Sequence, residues 1–271
     1  MSAQSRRDVL RSTVAAVAAA MIHDGRAEGA EAPRPNILWL VSEDNNPFLG
    51  CYGDTLARTP NIDALAKRGL LFRHVFSAAP VCAPSRFAIL TGMHPESCAP
   101  ANQMRAVAKL PDTVRGYPQY LRDAGYYCTN NAKTDYNCDL DPSRIWDESS
   151  RTAHWKNRPA GKPFMAVFNC ELSHESSLFS PGNLPPDADE ARGIPGVKPS
   201  DVRVPAYLPD TPEIRADRAR YYNAITRADA FIGQKLKELA DAGLAEDTIV
   251  FYYSDNGGAL PRSKRYCTDD G

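Results

Sequence analysis

The segment PVCAPSR, residues 80–86, places a cysteine, a proline and an arginine close together. Cys82 could be a buried thiol, half of a disulfide, a metal ligand or a group that takes part in chemistry. No C-x-x-C pair occurs in the sequence, which argues against a structural zinc site. The choice among these readings depends on which other reactive side chains the fold brings to Cys82.

Two further segments offer oxygen ligands for a cation. NILWLVSEDN contains Glu43 and Asp44, and YYSDNGG contains Asp255 and Asn256. Ca²⁺ and Mg²⁺ prefer such ligands, and three crowded carboxylates repel one another unless a cation joins them. Each pair taken alone is more typical of a solvated turn, since Asp-Asn-Gly is a common turn sequence. Taken together at strand ends, the pairs predict a divalent-metal site.

Four cationic or titratable side chains add positive charge to this set. They are Arg86, Lys133, His174 and Lys264. Cations beside a divalent metal favour an anionic substrate with several oxygens, a sulfate or a phosphate. A lone histidine is more often structural than catalytic, but His174 directly follows a predicted strand, which makes it a candidate catalytic group.

Apolar runs alternate with helical patterns along the chain, which predicts an α/β fold with a mostly parallel sheet sandwiched by helices. Ligands bind outside the carboxyl ends of such strands. We therefore expect the polar side chains that follow the strands to face one crevice. The predicted strands lie within 35–45, 126–129, 164–170 and 247–258, and two of the predicted helices lie at 59–72 and 215–244.

The composition is that of an ordinary globular protein. The 271 residues are 43% hydrophobic and 24% charged, which is enough for one sizeable core. The formal net charge of -1 gives no basic excess, so the sequence does not favour a nucleic-acid partner.

The first residues have the pattern of an export signal. Arg6 and Arg7 precede a short apolar run, residues 13–22, which is too short to span a bilayer. The pattern predicts a twin-arginine signal peptide over 1–32, with the Tat translocase as partner and a periplasmic or secreted destination. The mature chain, 33–271, then has no membrane span. The alternative is a chance arginine pair before a frayed helix.

Seven cysteines are an odd number, and disulfides form in an oxidising compartment. With Cys82 set aside, six remain, and their connectivity cannot be read from the sequence. These six are Cys51, Cys98, Cys128, Cys138, Cys170 and Cys267.

The chain resembles the sulfatase family of the alkaline-phosphatase superfamily. CAPSR matches the Cys-x-Pro-x-Arg signature of that family, and LTGMHP matches the segment that follows it. NILWLVSEDN and YYSDNGG resemble the two metal-binding strands. GYYCTNNAKTDYN, SHES and LPRSKRY resemble the segments that carry a catalytic lysine, a catalytic histidine and a substrate-contacting cation. The matches run in family order from about Pro35 to about Tyr266, and they look closest to the sulfamidase and heparan-type branch.

The resemblance implies that Cys82 is oxidised to Cα-formylglycine by a separate formylglycine-generating enzyme, with Pro84 and Arg86 in the recognition signal. Hydration of the aldehyde gives a gem-diol. One hydroxyl attacks sulfur, and the second lets the enzyme-bound sulfate ester collapse back to the aldehyde. The implied reaction removes sulfate from a sulfated carbohydrate.

Roles for the other residues follow from the same resemblance. Arg86 and Lys133 would orient the diol and stabilise developing charge, and Lys264 would contact the sulfate. His174 would give a proton to the leaving group. The cation, Ca²⁺ with Mg²⁺ as the alternative, would be held by Glu43, Asp44, modified Cys82, Asp255 and Asn256.

The sequence departs from the family pattern in three ways. Glu43 stands where the family has an aspartate. Asp135 stands where the family has a cationic histidine, with His154 and Asn137 as candidate replacements. The sequence stops at Gly271, before the smaller C-terminal domain that the resemblance implies. It therefore predicts a catalytic domain that is incomplete at its C-terminus, with an unpaired edge strand and an exposed apolar face.

Two other functions stay open at this point. A phosphoesterase of the same superfamily would usually carry Thr or Ser as its nucleophile, which Cys82 argues against. An inactive, truncated sulfatase-like remnant is the second alternative. The proline-rich stretch 176–213 is interpreted as an excursion or lid that shapes the site.

Overall fold

The computed structural model describes residues 34–179 and 196–268. The signal peptide predicted over 1–32 and the central part of the proline-rich stretch, 180–195, lie outside these residues. Within the described residues, no helix is both long enough and apolar enough to cross a membrane.

Five parallel strands form one sheet in the order β3-β2-β4-β1-β5. The prediction of a parallel α/β fold is therefore confirmed. Each strand longer than two residues matches an apolar run of the sequence. The strands are β1 (Asn36–Ser42), β2 (Tyr127–Asn131), β3 (Glu148–Ser149), β4 (Phe164–Cys170) and β5 (Thr248–Ser254).

Six α-helices accompany the sheet in the described part of the chain, with short 3₁₀ turns between them. The helices are α1 (Pro60–Arg68), α2 (Cys82–Thr91), α3 (Tyr117–Asp123), α4 (Pro142–Ile145), α5 (Ser176–Phe179) and α6 (Pro212–Asp241). The predicted extension of α1 to residue 72 is wrong. The backbone becomes extended at Gly69, and Leu70 and Phe72 beyond it are exposed.

The long helix α6 covers one face of the sheet. Tyr221 and Ile225 of this helix pack with Leu38, Leu40 and Phe168 in one buried cluster. The N-cap residue of α1, Thr59, makes no side-chain capping hydrogen bond. A side chain of α6 caps the helix instead. Asp229 of α6 accepts hydrogen bonds from the backbone N–H groups at the start of α1, at 3.3 Å from Asn61 and 2.8 Å from Ile62.

The other face of the sheet is covered by α2, α3 and α4. Leu90 of α2 and Ile145 of α4 share a buried cluster with Val41, Met165 and Val167, whose side chains point away from α6. Alternate residues of β1 and β4 thus face the two layers, as a strand buried on both sides requires. This sandwich holds the carboxyl ends of the strands in a common rim.

One edge of the sheet is exposed within the described residues. β5 pairs with β1 only, and Ile249 and Phe251 on it are each 47% exposed. The segment that follows α1 is also apolar and exposed at Leu70, Phe72 and Phe76. β5 is therefore an edge strand with exposed apolar side chains among the described residues.

Candidate active site

The ends of β1 and β5 bring the four predicted oxygen ligands together. Ser42 lies opposite Ser254 in the parallel register, so Glu43 and Asp44 leave the sheet beside Asp255 and Asn256. All four are almost fully buried, at 0 to 3% exposure. The backbone N–H of Asp44 donates to Asp255 Oδ1 at 3.2 Å, and the Asn256 amide donates to Asp44 Oδ1 and Asp255 Oδ1 at 3.2 and 2.9 Å.

Asp44 adopts a left-handed backbone conformation with φ of 51°. Aspartate tolerates this region better than most residues, and such conformations concentrate at functional sites. The chain bends at Glu43 and Asp44, directly after the strand. As a result, the Glu43 and Asp44 side chains both stay inside the crevice.

Helix α2 delivers Cys82 and Arg86 to the same place. Cys82 is the first residue of the helix and is 2% exposed. Arg86 lies one turn further along, donates through Nε to Asp255 Oδ2 at 3.1 Å, and donates through Nη1 to Asn169 Oδ1 at 2.7 Å. Ser85 between them donates to the backbone carbonyl of Asp255, so the helix is fastened to the end of β5.

Lys133 and Lys264 approach the carboxylates from two sides. Lys133, in the loop after β2, donates to Glu43 Oε2 at 2.6 Å, and Lys264 donates to Asp44 Oδ2 at 2.7 Å. The Lys264 loop passes so close to Asn46 that a Cβ at Gly258 would stand 1.3 Å from Asn46 Oδ1. A glycine is therefore required at this position.

His174 closes the cluster at the end of β4. Its Nε2 stands 3.9 Å from both Glu43 Oε2 and Asp44 Oδ2. Two contacts hold its loop on the site: Ser173 Oγ donates to the Glu43 carbonyl at 2.5 Å, and the Glu175 N–H donates to Asp44 Oδ2 at 2.8 Å. The convergence of strand ends expected from the sequence is observed.

Burial shifts the pKa values of the central groups. Burial raises the pKa of Glu43, partly opposed by the Arg86 guanidinium, and lowers the pKa of His174. Burial and the carboxylates of Asp255 and Asp44 raise the pKa of the Cys82 thiol to about 11. Around neutral pH the unmodified Cys82 is therefore a thiol rather than a thiolate, and a thiol is a weak nucleophile.

The donor set fits a divalent cation with oxygen ligands. Glu43 Oε1 and Asn256 Oδ1 are buried without a hydrogen-bond partner, which is costly for such atoms unless something binds them. Glu43, Cys82 and His174 each place one ligand atom within 4.8 Å of the others. Three carboxylates and an amide are typical of a hard cation.

Asp135, which stands where the family has a histidine, lies beside Arg86 in the structure. Asp135 Oδ1 stands 3.8 Å from Arg86 Nε, so this carboxylate adds negative charge behind the arginine. Neither candidate replacement for the missing cation joins the cluster. His154 Nε2 pairs with Glu238 at 3.0 Å, and the Asn137 amide donates to the Ala101 carbonyl at 2.9 Å.

The sequence did not single out several residues that hold the site. Glu175 accepts two hydrogen bonds from the Arg265 guanidinium, both at 2.7 Å, and lies 3.3 Å from Lys264. Asn169 on β4 fixes Arg86, as described, and its own amide donates to Asn130 at 3.1 Å. The only sequence signal for Asn169 is its position at the carboxyl end of a strand. Residues that make no contact with the site share that position, so the signal does not single Asn169 out.

The parallel α/β sheet thus places buried carboxylates, cations and Cys82, the first residue of α2, at its carboxyl edge. Solved structures share this fold. A 2-O GAG sulfatase superposes with a TM-score of 0.65 at 19% identity, over 88% of this chain and 62% of that one. The phosphonate monoester hydrolase of Agrobacterium radiobacter gives a TM-score of 0.55 at 18% identity, over 82% and 62%.

Sequence comparisons identify the family to which the chain belongs. Residues 35–147 and 127–270 match the family described as Sulfatase. An ulvan-active sulfatase of Formosa agariphila is 40% identical over 278 residues, covering 88% of this chain and 46% of that protein. The N-sulphoglucosamine sulphohydrolase of Homo sapiens is 30% identical over 266 residues, covering 84% and 52%. The chain belongs to the sulfatase family, and it spans about half the length of these relatives.

Proposed function

We propose that this chain carries the nucleophile and metal-binding half of a sulfuric ester hydrolase that removes sulfate from a sulfated carbohydrate. The observation that carries the proposal is the grouping of Cys82, Glu43 and His174, whose ligand atoms lie within 4.8 Å of one another. A cysteine inside a cage of carboxylates and cations suits a nucleophile that attacks an anionic centre held by positive charge.

The cation, Ca²⁺ with Mg²⁺ as the alternative, would be held by Glu43, Asp44, Asp255, Asn256 and the modified side chain at position 82. Bound there, it would supply positive charge to the nucleophile and to a sulfate oxygen. Glu43 Oε1 and Asn256 Oδ1, which lack a hydrogen-bond partner, support this assignment.

Position 82 is the site of conversion to Cα-formylglycine in this proposal. As its hydrate, formylglycine supplies one hydroxyl for attack at sulfur and a second for release of sulfate. The start of α2 suits this role because the helix is fixed by Ser85 and Arg86 to Asp255. The nucleophile is therefore held by contacts one turn further along the helix.

Arg86, Lys133 and Lys264 provide the positive charge around the nucleophile. Arg86 is held between Asp255 and Asn169, so it would act as a fixed positive charge. Lys133 and Lys264 donate to Glu43 and Asp44 oxygens that a cation would share, and their ammonium groups would contact sulfate oxygens.

His174 is the proton donor to the leaving oxygen in this proposal. The acid form is the imidazolium, whose Nδ1 would donate to Ser176 Oγ, 2.9 Å away, and whose second proton would be carried on Nε2. Nε2 is the nitrogen that faces Glu43 and Asp44. A proton carried there is on the side where the sulfated substrate would bind.

The names of the relatives support a sulfated polysaccharide or oligosaccharide as substrate, since one is called ulvan-active and another acts on a sulphated glucosamine. The twin-arginine pattern supports export through the Tat translocase to the periplasm or beyond. Exported protein would receive its formylglycine from a formylglycine-generating enzyme before or during that route.

The test is mass spectrometry of the tryptic peptide 74–86 from protein expressed with a formylglycine-generating enzyme. We expect a fraction of Cys82 as aldehyde, with sulfur and two hydrogens replaced by oxygen. The peptide 123–133, which contains the buried Cys128, is the internal control and should keep its thiol. An unmodified Cys82 in a host that modifies a co-expressed sulfatase would overturn the proposal.

A further inference from the structure

Two of the cysteines that the sequence left unpaired share one apolar cluster. Cys98 ends a 3₁₀ turn after α2, and Cys138 lies in the loop after β2. Both are half-buried and carry free thiols. Both pack against a small core, separate from the core beneath α6, whose members are Phe87, Ala101, Ala108 and Leu110.

The two segments are tied together by backbone hydrogen bonds. Ala108 and Cys138 form an isolated parallel bridge. The Ala108 N–H donates to the Asn137 carbonyl at 2.9 Å, and the Asp139 N–H donates to the Ala108 carbonyl at 3.1 Å. Asp139 also accepts from the Leu110 N–H at 3.0 Å. Cys138 is therefore held directly opposite Ala108.

Cys98 also lies close to the Ala108 segment. Its Sγ lies 4.0 Å from the carbonyl of Lys109, the residue after Ala108. The Asn137 side chain, next to Cys138, donates to the carbonyls of Ala101 and Gln103, which follow Cys98 in the chain. Burial is the main cause that raises the pKa of Cys138, and the Cys98 thiol is close enough to contribute.

We propose that Cys98 and Cys138 form a disulfide that joins the segment after α2 to the loop after β2. Each thiol loses a proton, one Sγ–Sγ bond forms, and the two electrons pass to an external disulfide, which is reduced to two thiols. The oxidant class is a small-molecule or protein disulfide, as in an oxidising compartment. Half-exposure of both sulfurs gives it access.

The bond would act on the active-site framework. The segment before it in the chain contains α2 with Cys82 and Arg86, and the loop that contains Cys138 also contains Lys133. Closing a loop of about 40 residues restricts the unfolded chain. The two elements that carry the nucleophile and a cation are then joined covalently as well as through the sheet.

The experiment is peptide mapping of the full chain after exposure to oxidised glutathione, with free thiols alkylated before digestion. Trypsin places Cys98 alone in peptide 87–105 and Cys138 alone in peptide 134–144. We expect these two peptides as one linked species that reduction separates. Recovery of both as alkylated peptides, or linkage of either to a different cysteine, overturns the proposal.

Thermal unfolding provides a second, independent measurement. We expect reduction to lower the Tm of the oxidised protein by roughly 5 °C or more. Cys98→Ser and Cys138→Ser should each abolish this redox-dependent shift, and Cys267→Ser, at an exposed cysteine outside the cluster, should keep it. A shift that survives in Cys98→Ser contradicts the pairing. Failure here leaves the proposed function untouched, because Cys82 takes no part in the bond.

Discussion

Two histidines stand beside carboxylates in this protein, and they differ in how their ring nitrogens are used. His154 accepts from the Lys156 N–H through Nδ1 at 3.1 Å, and its Nε2 lies 3.0 Å from Glu238 Oε2. Its ring packs at 4.9 and 5.0 Å from Trp155 and Phe168. Every polar atom of this side chain is occupied, and its faces are covered.

His174 has a different environment. Its Nδ1 also makes a local contact, with Ser176, but its Nε2 stands 3.9 Å from the nearby Glu43 and Asp44 oxygens, which is beyond hydrogen-bond distance. A protonated imidazole whose Nε2–H lies near carboxylates but is not bound to them can give that proton to a third group and return to the neutral ring. A histidine satisfied on both sides stabilises the fold, whereas one satisfied on a single side is available for chemistry.

The surroundings of the two histidines differ in the same way. Glu238 is exposed enough to be solvated, and its partners surround it on the surface of α6. Glu43 has no exposed side-chain area, and its neighbours Asp44 and Asp255 have none either. Buried charges of this kind seldom increase stability over apolar residues of the same size. Their presence is better explained by ligand binding than by folding.

The largest expected effect separates the two histidines in activity. In protein that carries the modified Cys82 and removes sulfate, His174→Ala should lower kcat about 10²- to 10⁴-fold on a carbohydrate sulfate, because general acid catalysis is lost. The loss should be smaller on 4-nitrophenyl sulfate, whose leaving group needs no proton. Steady-state kinetics on both substrates measure the loss of kcat in His174→Ala for each.

The matched control is His154→Ala. Its kcat should stay within about twofold of the parent well below its melting temperature, while its Tm falls because ring packing is lost. Equal losses of kcat in the two variants, or an equal loss on both substrates in His174→Ala, would show that the contrast between the histidines is unfounded.

A smaller effect separates the two glutamates in cation binding. Ca²⁺ at about 100 times its Kd should stabilise the protein by about 2.7 kcal/mol, which raises the Tm by roughly 5–10 °C. Glu43→Gln should remove most of this shift, since it replaces a buried carboxylate that the cation would contact. Calorimetric scans with Ca²⁺ and with a chelator measure it, before any activity is assayed.

Glu238→Gln is the control for this prediction. Its carboxylate lies on α6, away from the buried carboxylates at the ends of β1 and β5, so the Ca²⁺-dependent rise in Tm should match the parent. If Ca²⁺ raised the Tm of Glu43→Gln as much as that of the parent, Ca²⁺ would bind elsewhere. The assignment of Glu43 as a cation ligand would then be wrong.

Much of the site could be predicted because its residues follow strands. Apolar runs locate β1, β4 and β5 within a residue or two, and the polar residues after them share one edge of any parallel sheet. Glu43, Asp255 and His174 were found by this rule alone, without knowledge of which strands are neighbours.

Other parts could not be predicted because they depend on contacts between distant segments. The Glu175 carboxylate is held by Arg265, 90 residues away in sequence. His154 and Asn137 were proposed to supply a missing cation or contact, but tertiary partners occupy both side chains. The end of α1 at Arg68 was missed because Gly69 continues the apolar pattern while its backbone leaves the helix. Pattern alone identifies candidate side chains, and it does not reveal their partners.

The smallest expected effect tests whether the contact between His154 and Glu238 of α6 is only structural. Contacts with His154 and Lys235 lower the pKa of Glu238 to about 2, against the opposing effect of burial. A carboxyl group whose pKa is depressed in the folded protein stabilises that protein above the unfolded value of 4.5, and this stabilisation is lost as the pH falls towards about 2.

Glu238→Gln should therefore be less stable than the parent by about 1 kcal/mol at pH 7. Urea unfolding at pH 7, 4.5 and 3 should show this difference shrinking as the pH falls through 4.5, because the carboxyl then takes up a proton in the unfolded parent while it stays ionised in the folded parent. The variant has no carboxyl at this position to protonate. Glu171→Gln, at an exposed carboxylate 4.0 Å from Arg151, should match the parent throughout. A constant difference between Glu238→Gln and the parent at all three pH values would mean that Glu238 contributes through packing rather than charge, and its contrast with the buried Glu43 would then rest on burial alone.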